Sequence, residues 1–311
     1  MTQMNLFVDD MYKNLDKMLP RILDSLNKTN LDYIFSELDN IKGPTIVTGV
    51  GGSSVVGEFL AKVLNHKNHI IAEFKFPREL LLTDLSGYEN VISISYSGRN
   101  IGVDASFKNN LKKYLLSGST REGVTNLQYV VDDEEYSFVS MAGTMIPMSI
   151  ILMYYIRDID LIKEIISIRK DFNIDDSLVY EVLTSEKSKT ACTMLESSMV
   201  EGSLGALIVH EKYNYFHGRT LFNHFNPNVS TLIYMEEESP IDTLFKENLF
   251  STYKNVITID TKYEDCIIDD YYKSFMSLLL CMQLSKKQGK DLSIKLPPDV
   301  SELMYGYKGE M

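Results

Sequence analysis

The chain has no tryptophan, and its three cysteines, Cys192, Cys266 and Cys281, stand in no motif spacing. That spacing argues against a disulfide framework and a cysteine zinc module; the three read as reduced, buried small hydrophobes of a cytoplasmic protein. No dense lysine or arginine run occurs, and 31 basic residues face 43 acidic ones, for a formal net charge of −12. A nucleic-acid or anionic-membrane surface would need a compensating basic patch, so neither partner is expected. Apolar runs long enough to span a bilayer are also missing. The longest, over residues 145–156, contains Pro147 and Ser149 and fits a buried helix. The N-terminal stretch MTQMNLFVDDMYKNLDKM carries early acids and lacks the apolar core of a signal peptide.

What is present is ordinary for a globular protein: 44% hydrophobic and 24% charged residues over 311 positions. That length makes one large domain or two of about 150 residues each. The negative balance does not exclude an anionic metabolite, because a phosphate site depends on local dipoles more than on total charge.

Residues 91–100, VISISYSGRN, organise the rest. Val91, Ile92 and Ile94 make a buried strand, which breaks into Ser95, Tyr96, Ser97 and Gly98. A strand ending in small hydroxyls and a glycine, followed by a helix, suits a phosphate or another small anion. Strand alternation points Tyr96 away from the two serines, into packing. A second element of this kind lies upstream. Residues 44–49 read as a strand running into Val50, Gly51, Gly52, Ser53 and Ser54, then a helix to about residue 64. No Gly-Lys-Ser/Thr follows, so this is not a Walker loop. Ser54 stands where the third glycine of a dinucleotide fingerprint belongs, and the serines suit a monophosphate better.

The remaining pattern alternates. Residues 5–40 are helical, with Pro20 as a break or a helix start. Further strands are expected at 69–73, 113–116 and 127–131, the third of these followed by an acidic solvated loop. The 113–116 strand ends in Ser117, Gly118, Ser119 and Thr120, again small and polar. A long apolar helix covers 139–156, and 157–189 reads as charged and helical. The alternation then restarts with strands at 205–210, 230–235 and 255–260, and helices at 191–200, 216–225, 241–250 and 271–287. The expected class is α/β, in two similar halves, with phosphate-type turns only in the first. The division is placed at residues 1–156 and 157–311.

Taken together, GVGGSSVVGEFLAKVL and VISISYSG resemble the sugar isomerase (SIS) domain, and most of all the bifunctional phosphoglucose/phosphomannose isomerases. The order of elements matches over nearly the whole chain. The resemblance implies two αβα sandwich halves, each with a mainly parallel sheet of roughly five strands, and a C-terminal helix. It implies a homodimer, a phosphorylated monosaccharide as ligand, aldose–ketose isomerisation, and neither cofactor nor metal. Carried over by position, Ser53, Ser95 and Ser97 match phosphate-contacting serines, with Gly51 and Gly52 beside them. Asn100 stands at a phosphate-touching threonine, and Arg99 replaces an asparagine.

The second half departs from that pattern. A glutamate that serves as proton-transfer base falls on Pro227, within Asn226-Pro227-Asn228, and a ring-opening histidine falls at about Thr243. Candidate substitutes lie nearby in the sequence. His210, His217 and His224 recur every seven residues, and His217 and His224 precede the Asn-Pro-Asn turn. On one helix these two lie about 10 Å apart along the axis, too far to share a metal. For each histidine an ordinary surface or core role is the competing reading. Glu237, within Glu236-Glu237-Glu238 at a strand end, can replace the missing carboxylate or simply belong to an acidic loop that favours the next helix. Arg219 can contact substrate or form a surface salt bridge. Lys308 falls near a lysine position of the family. The candidate catalytic set is therefore His217, His224, Glu237 and Lys308.

Overall fold

The computed structural model describes residues 2–131, 140–236, 239–253 and 255–290, with side chains from residue 15 onward. Glu237, Lys308, the acidic loop after residue 131 and any helix beyond residue 290 lie outside the described residues. The chain divides into two compact units, one from Lys13 to Ile166 and one beginning at Ser167.

Helix α1 (Thr2–Lys28) belongs to the second unit up to Tyr12 and to the first from Lys13; α2 (Leu31–Asp39) and a five-stranded parallel sheet follow in the first. Pro20 lies inside α1 and neither breaks nor starts it. The strands are β1 (Thr45–Thr48), β2 (Ala72–Phe74), β3 (Asn90–Ile94), β4 (Lys112–Ser117) and β5 (Thr125–Gln128). Between them run α3 (Gly52–Val63), α4 (Pro77–Leu80) and α5 (Ile101–Ser106). The spatial order is β2-β1-β3-β4-β5, so the chain reverses direction across the sheet between β1 and β3. Every residue of β1 and β3 is buried, so neither strand alternates, and the polar Thr45, Thr48, Asn90 and Ser93 lie buried with the rest. The apolar stretch becomes α6 (Met141–Ile156), hydrophobic on all sides and buried nearly throughout, as a helix with no polar face must be.

The second unit follows α7 (Ile159–Ser167), which belongs to the first unit but for Ser167. Its sheet is parallel, with β6 (Val179–Thr184), β7 (Ala206–Glu211), β8 (Ser230–Tyr234) and β9 (Val256–Ile259) in the order β7-β6-β8-β9. Among the described residues it has four strands, beside the roughly five that the resemblance implied. Its helices are α8 (Lys189–Glu201), the single turn α9 (Lys212–Asn214), α10 (Thr220–Phe225), α11 (Pro240–Asn248) and α12 (Cys266–Gln288). One face of the sheet packs Leu183, Tyr215, Ile233, Met235, Ile241 and Phe245 into a core. On another side Tyr234 of β8 donates to the Ala191 carbonyl of α8 at 2.9 Å and meets Ser277 of α12 at 2.7 Å.

Two expectations change here. Residues 157–189 are not wholly helical, because β6 is a central strand, paired with both β7 and β8. Residues 215–225 are not one helix either. A wide turn over Tyr215–Arg219 has non-helical backbone at His217 and Gly218, and α10 starts only at Thr220.

Candidate functional site

The register sets the site in the first unit. Thr48 of β1 pairs with Ser93 of β3, and Ile94 of β3 pairs with Leu116 of β4. The three strands therefore end side by side, and the loops that follow them are neighbours. These are residues 49–52, 95–100 and 118–120. In open parallel sheets, ligands bind outside the carboxyl ends of strands where the order reverses, here between β1 and β3.

The β1 loop is tight. Gly51 is exposed and precedes α3, whose first residue is Gly52. Gly49 must be glycine on grounds of space, since a Cβ there would lie 2.5 Å from the Ser53 carbonyl oxygen. That close approach seats the first turn of α3, with its positive dipole end, directly beyond the strand ends; the Ser53 and Ser54 amides donate within the turn, to the Val50 and Gly51 carbonyls. Ser53 is half-buried on this turn. Ser54 is buried and turned inward, its hydroxyl donating to the Gly51 carbonyl at 2.7 Å.

The β3 loop is built around Ser95, which is 1% exposed. Its Oγ accepts from Gly98 N at 3.1 Å and from Asn100 Nδ2 at 3.1 Å. Asn100 is also the N-cap of α5, with Oδ1 accepting from Val103 N at 3.0 Å. Gly98 has φ of +65°, a left-handed conformation costly for any side chain. Ser97 is exposed, and its Oγ accepts from Arg99 N at 3.4 Å. Tyr96 is not packed away as alternation suggested: it is 43% exposed.

The serine-rich end of β4 braces this loop from the other side. Ser119 donates to the Ser97 carbonyl at 2.5 Å, and Ser117 donates to the Tyr96 carbonyl at 3.1 Å. The sequence marked Ser117 and Ser119 as a third polar strand end but gave them no role. Among the phosphate candidates, then, Gly51 and Ser97 are exposed, while Gly52 and Ser53 are half-buried at the start of α3. Ser95 and Asn100 shape the loop that presents Ser97.

The second unit's candidates fall differently. His217 and His224 are both exposed, separated by the kink at Gly218, and His224 lies beside the Phe225 ring at 4.9 Å. Pro227 is an exposed turn residue. Thr243 lies on α11, its hydroxyl donating to the Ser239 carbonyl at 3.2 Å.

The histidine embedded in a polar network is His210, on β7 and 5% exposed. Arg219 Nη1 lies 3.2 Å from its Nδ1, and a guanidinium can only donate, so Nδ1 accepts. In the neutral ring the proton therefore sits on Nε2, which faces the fully buried Glu181 Oε1 at 3.4 Å. Tyr215 donates to Glu181 Oε2 at 3.0 Å. Burial pushes the His210 imidazole below its ordinary pKa, and Arg219 adds to that, while Glu181 opposes it. Arg219 is thus engaged with a histidine and not with a carboxylate. Glu181 was invisible in the sequence because β6 was not expected.

No family model and no curated protein matches the chain. Its fold, however, is similar to that of several solved structures. The tagatose-6-phosphate ketose/aldose isomerase of Escherichia coli superposes with a TM-score of 0.71 at 13% identity, over 92% of this chain and 96% of that one. The C-terminal domain of glucosamine-fructose-6-phosphate aminotransferase from Francisella tularensis gives 0.64 at 13% identity, over 91% and 95%. Glucosamine-6-phosphate deaminase of Thermotoga maritima gives 0.59 at 15% identity, over 88% and 93%. At these identities the likeness defines the fold: two αβα layers of the SIS type, with parallel sheets of five and four strands.

Proposed function

We propose that the protein binds a phosphorylated monosaccharide at the carboxyl edge of the first sheet and interconverts its aldose and ketose forms. Glucose-6-phosphate or mannose-6-phosphate to fructose-6-phosphate is the reaction type. The observation that carries the reading is the convergence of three polar loops at the point where the strand order reverses, with the first turn of α3 behind them. Structures of similar fold, named for tagatose-6-phosphate and glucosamine-6-phosphate, support a sugar phosphate as ligand.

In this reading the phosphate lies against Gly51 and Gly52, with Ser53 and Ser97 donating hydroxyl hydrogens. Ser95 and Asn100 keep Ser97 in place. The isomerisation needs one base to carry a proton between C1 and C2, and an acid/base pair to open the ring. His217, His224, Glu237 and Lys308 are the candidates for those steps. The phosphate site belongs to residues 1–156, the chemistry to 157–311, and the working form is a cytoplasmic homodimer. The reading is tested by following fructose-6-phosphate by NMR for conversion to either aldose, with Ser97→Ala as control. Absence of turnover above that control sinks the isomerase assignment.

A second reading follows from Pro227 and Thr243. A proline cannot serve as a base, and Thr243 spends its hydroxyl on a helix carbonyl. On that reading the protein senses a sugar phosphate without converting it. A thermal shift with fructose-6-phosphate, but no product, selects it.

A further inference from the structure

The second unit has a crevice of its own. From β6 the chain moves to β7 on one side and then returns to β8 on the other, so this sheet also reverses order, between β6 and β8. A cavity of about 330 Å³ opens at the carboxyl edge, lined by Lys187 after β6, Glu236 after β8, and Thr261, Tyr263, Glu264 and Asp269 after β9. That volume lies at the small end of the range for metabolite sites, which begins near 300 Å³.

Two buried lysines hold its walls. Lys273 of α12 is fully buried and donates to the Met235 carbonyl at 2.7 Å and to Thr261 Oγ1 at 2.9 Å, and it lies 2.6 Å from Asp269 Oδ2. Lys212, 2% exposed, lies 3.1 Å from Glu236 Oε1 and 2.8 Å from Asp242 Oδ1. Burying ammonium groups is expensive unless each meets a carboxylate in good geometry. Here both are placed behind the same crevice, where they fix Glu236 and Asp269.

The wall chemistry narrows the occupant. Asp265 caps α12, its carboxylate accepting from Ile267 N at 2.8 Å and Ile268 N at 3.1 Å, so those amides are taken. Three carboxylates, Glu236, Glu264 and Asp269, line the cavity beside one ammonium, Lys187, a lining that does not favour a phosphate. Asp269 already accepts from Lys262 N, Tyr263 N and Thr261 in addition to Lys273. Among the described residues no group of three His, Cys, Asp or Glu is placed to hold a metal. One group does stand at the mouth. The Lys187 ammonium, on a side chain 62% exposed, lies 3.5 Å from Glu236 Oε2. It marks what Glu236 accepts there, and an exposed pair of that length is displaced at little cost. Tyr263 also lines the cavity, with the Lys262 ammonium 5.2 Å from its ring centre, so this ring already sits beside a cation.

We propose that this crevice is a second small-molecule site, for a primary-amine metabolite whose ammonium takes the place of Lys187 at Glu236. It is separate from the phosphate crevice and does not depend on the isomerase reading.

The test is saturation-transfer NMR on the full chain with three probes: putrescine, ethanolamine and glycine. These separate a diamine, an amino alcohol and a zwitterion. At least one should bind. Lys187→Met should tighten it about two- to fivefold, the gain from removing an exposed internal competitor. Glu264→Gln, at an exposed position, should weaken it without unfolding the protein. No binding by any of the three overturns the proposal. So does an affinity unchanged in Lys187→Met, competition by inorganic phosphate, or loss of binding in Ser97→Ala, which would place the amine in the first unit.

Discussion

Asn100 and Ser95 are joined side chain to side chain: Nδ2 of Asn100 donates to Ser95 Oγ at 3.1 Å while Oδ1 of the same residue caps α5. One amide thus ties the start of a helix to the end of the strand before it. Asn100→Ala removes both bonds. The cap alone is worth about 1 kcal/mol, so calorimetry should find a loss of at least that size. Asn100→Thr retains a capping oxygen and loses only the bond to Ser95. It should recover most of the stability but leave fructose-6-phosphate binding weakened, read by isothermal titration.

Ser97 provides the converse. It is exposed and accepts one long bond within its loop. Ser97→Ala should leave stability within about 0.5 kcal/mol, as for ordinary surface changes. If Ser97 donates to a phosphate, a bond to a charged group worth about 1.5–3 kcal/mol is lost, and affinity for fructose-6-phosphate should fall roughly tenfold or more. Affinity equal to that of the unaltered protein would remove Ser97 from the site.

His210 makes stability depend on pH. Its folded pKa is depressed, chiefly by burial, so the unfolded chain binds the proton more tightly than the folded one. The contribution is complete above the unfolded value, about 6.5, and is lost as pH falls through and below it. Denaturant midpoints should therefore decline between pH 7.5 and 5.5, on the order of the range spanning that titration. The decline should be shallower in His210→Gln.

Lys273 is fully buried against Asp269. Lys273→Met leaves an uncompensated buried carboxylate and should cost about 3–5 kcal/mol. Adding Asp269→Asn removes the unpaired charge while its side-chain oxygen still accepts from the Lys262 and Tyr263 amides, so it should return much of that loss. A double variant no more stable than the single one would contradict this account of the crevice.

The first unit was largely legible in the sequence because its rules are local. Strands buried on both faces write themselves as largely apolar runs such as VISI, and the serines and glycines that follow mark where the strands end in polar loops. The β6 strand was not legible, because its centre carries Glu181, and a carboxylate in VYEVLT reads as solvent-facing. Only the partners Tyr215 and His210, brought from other elements, make that burial tolerable, and no spacing announces them. In the sequence, the place of His217 and His224 before the Asn-Pro-Asn turn favours them over His210, and no spacing shows that His210 is the buried one. The kink at His217 and Gly218 separates them, and it follows from backbone angles that the seven-residue recurrence does not encode.

The pairing of β1 has a consequence for assembly. Thr45 lies against Ala72 on one side and Asn90 on the other, residues far along the chain, and each contact closes a long loop before any pairing energy is gained. Residues 49–52 and 95–100 become neighbours only once β3 has docked, so a collapsed chain with its helices formed would still have no anion cradle. Capture of a phosphorylated ligand during refolding should accordingly lag behind the recovery of helical circular dichroism, reporting the last ordering step and not the first.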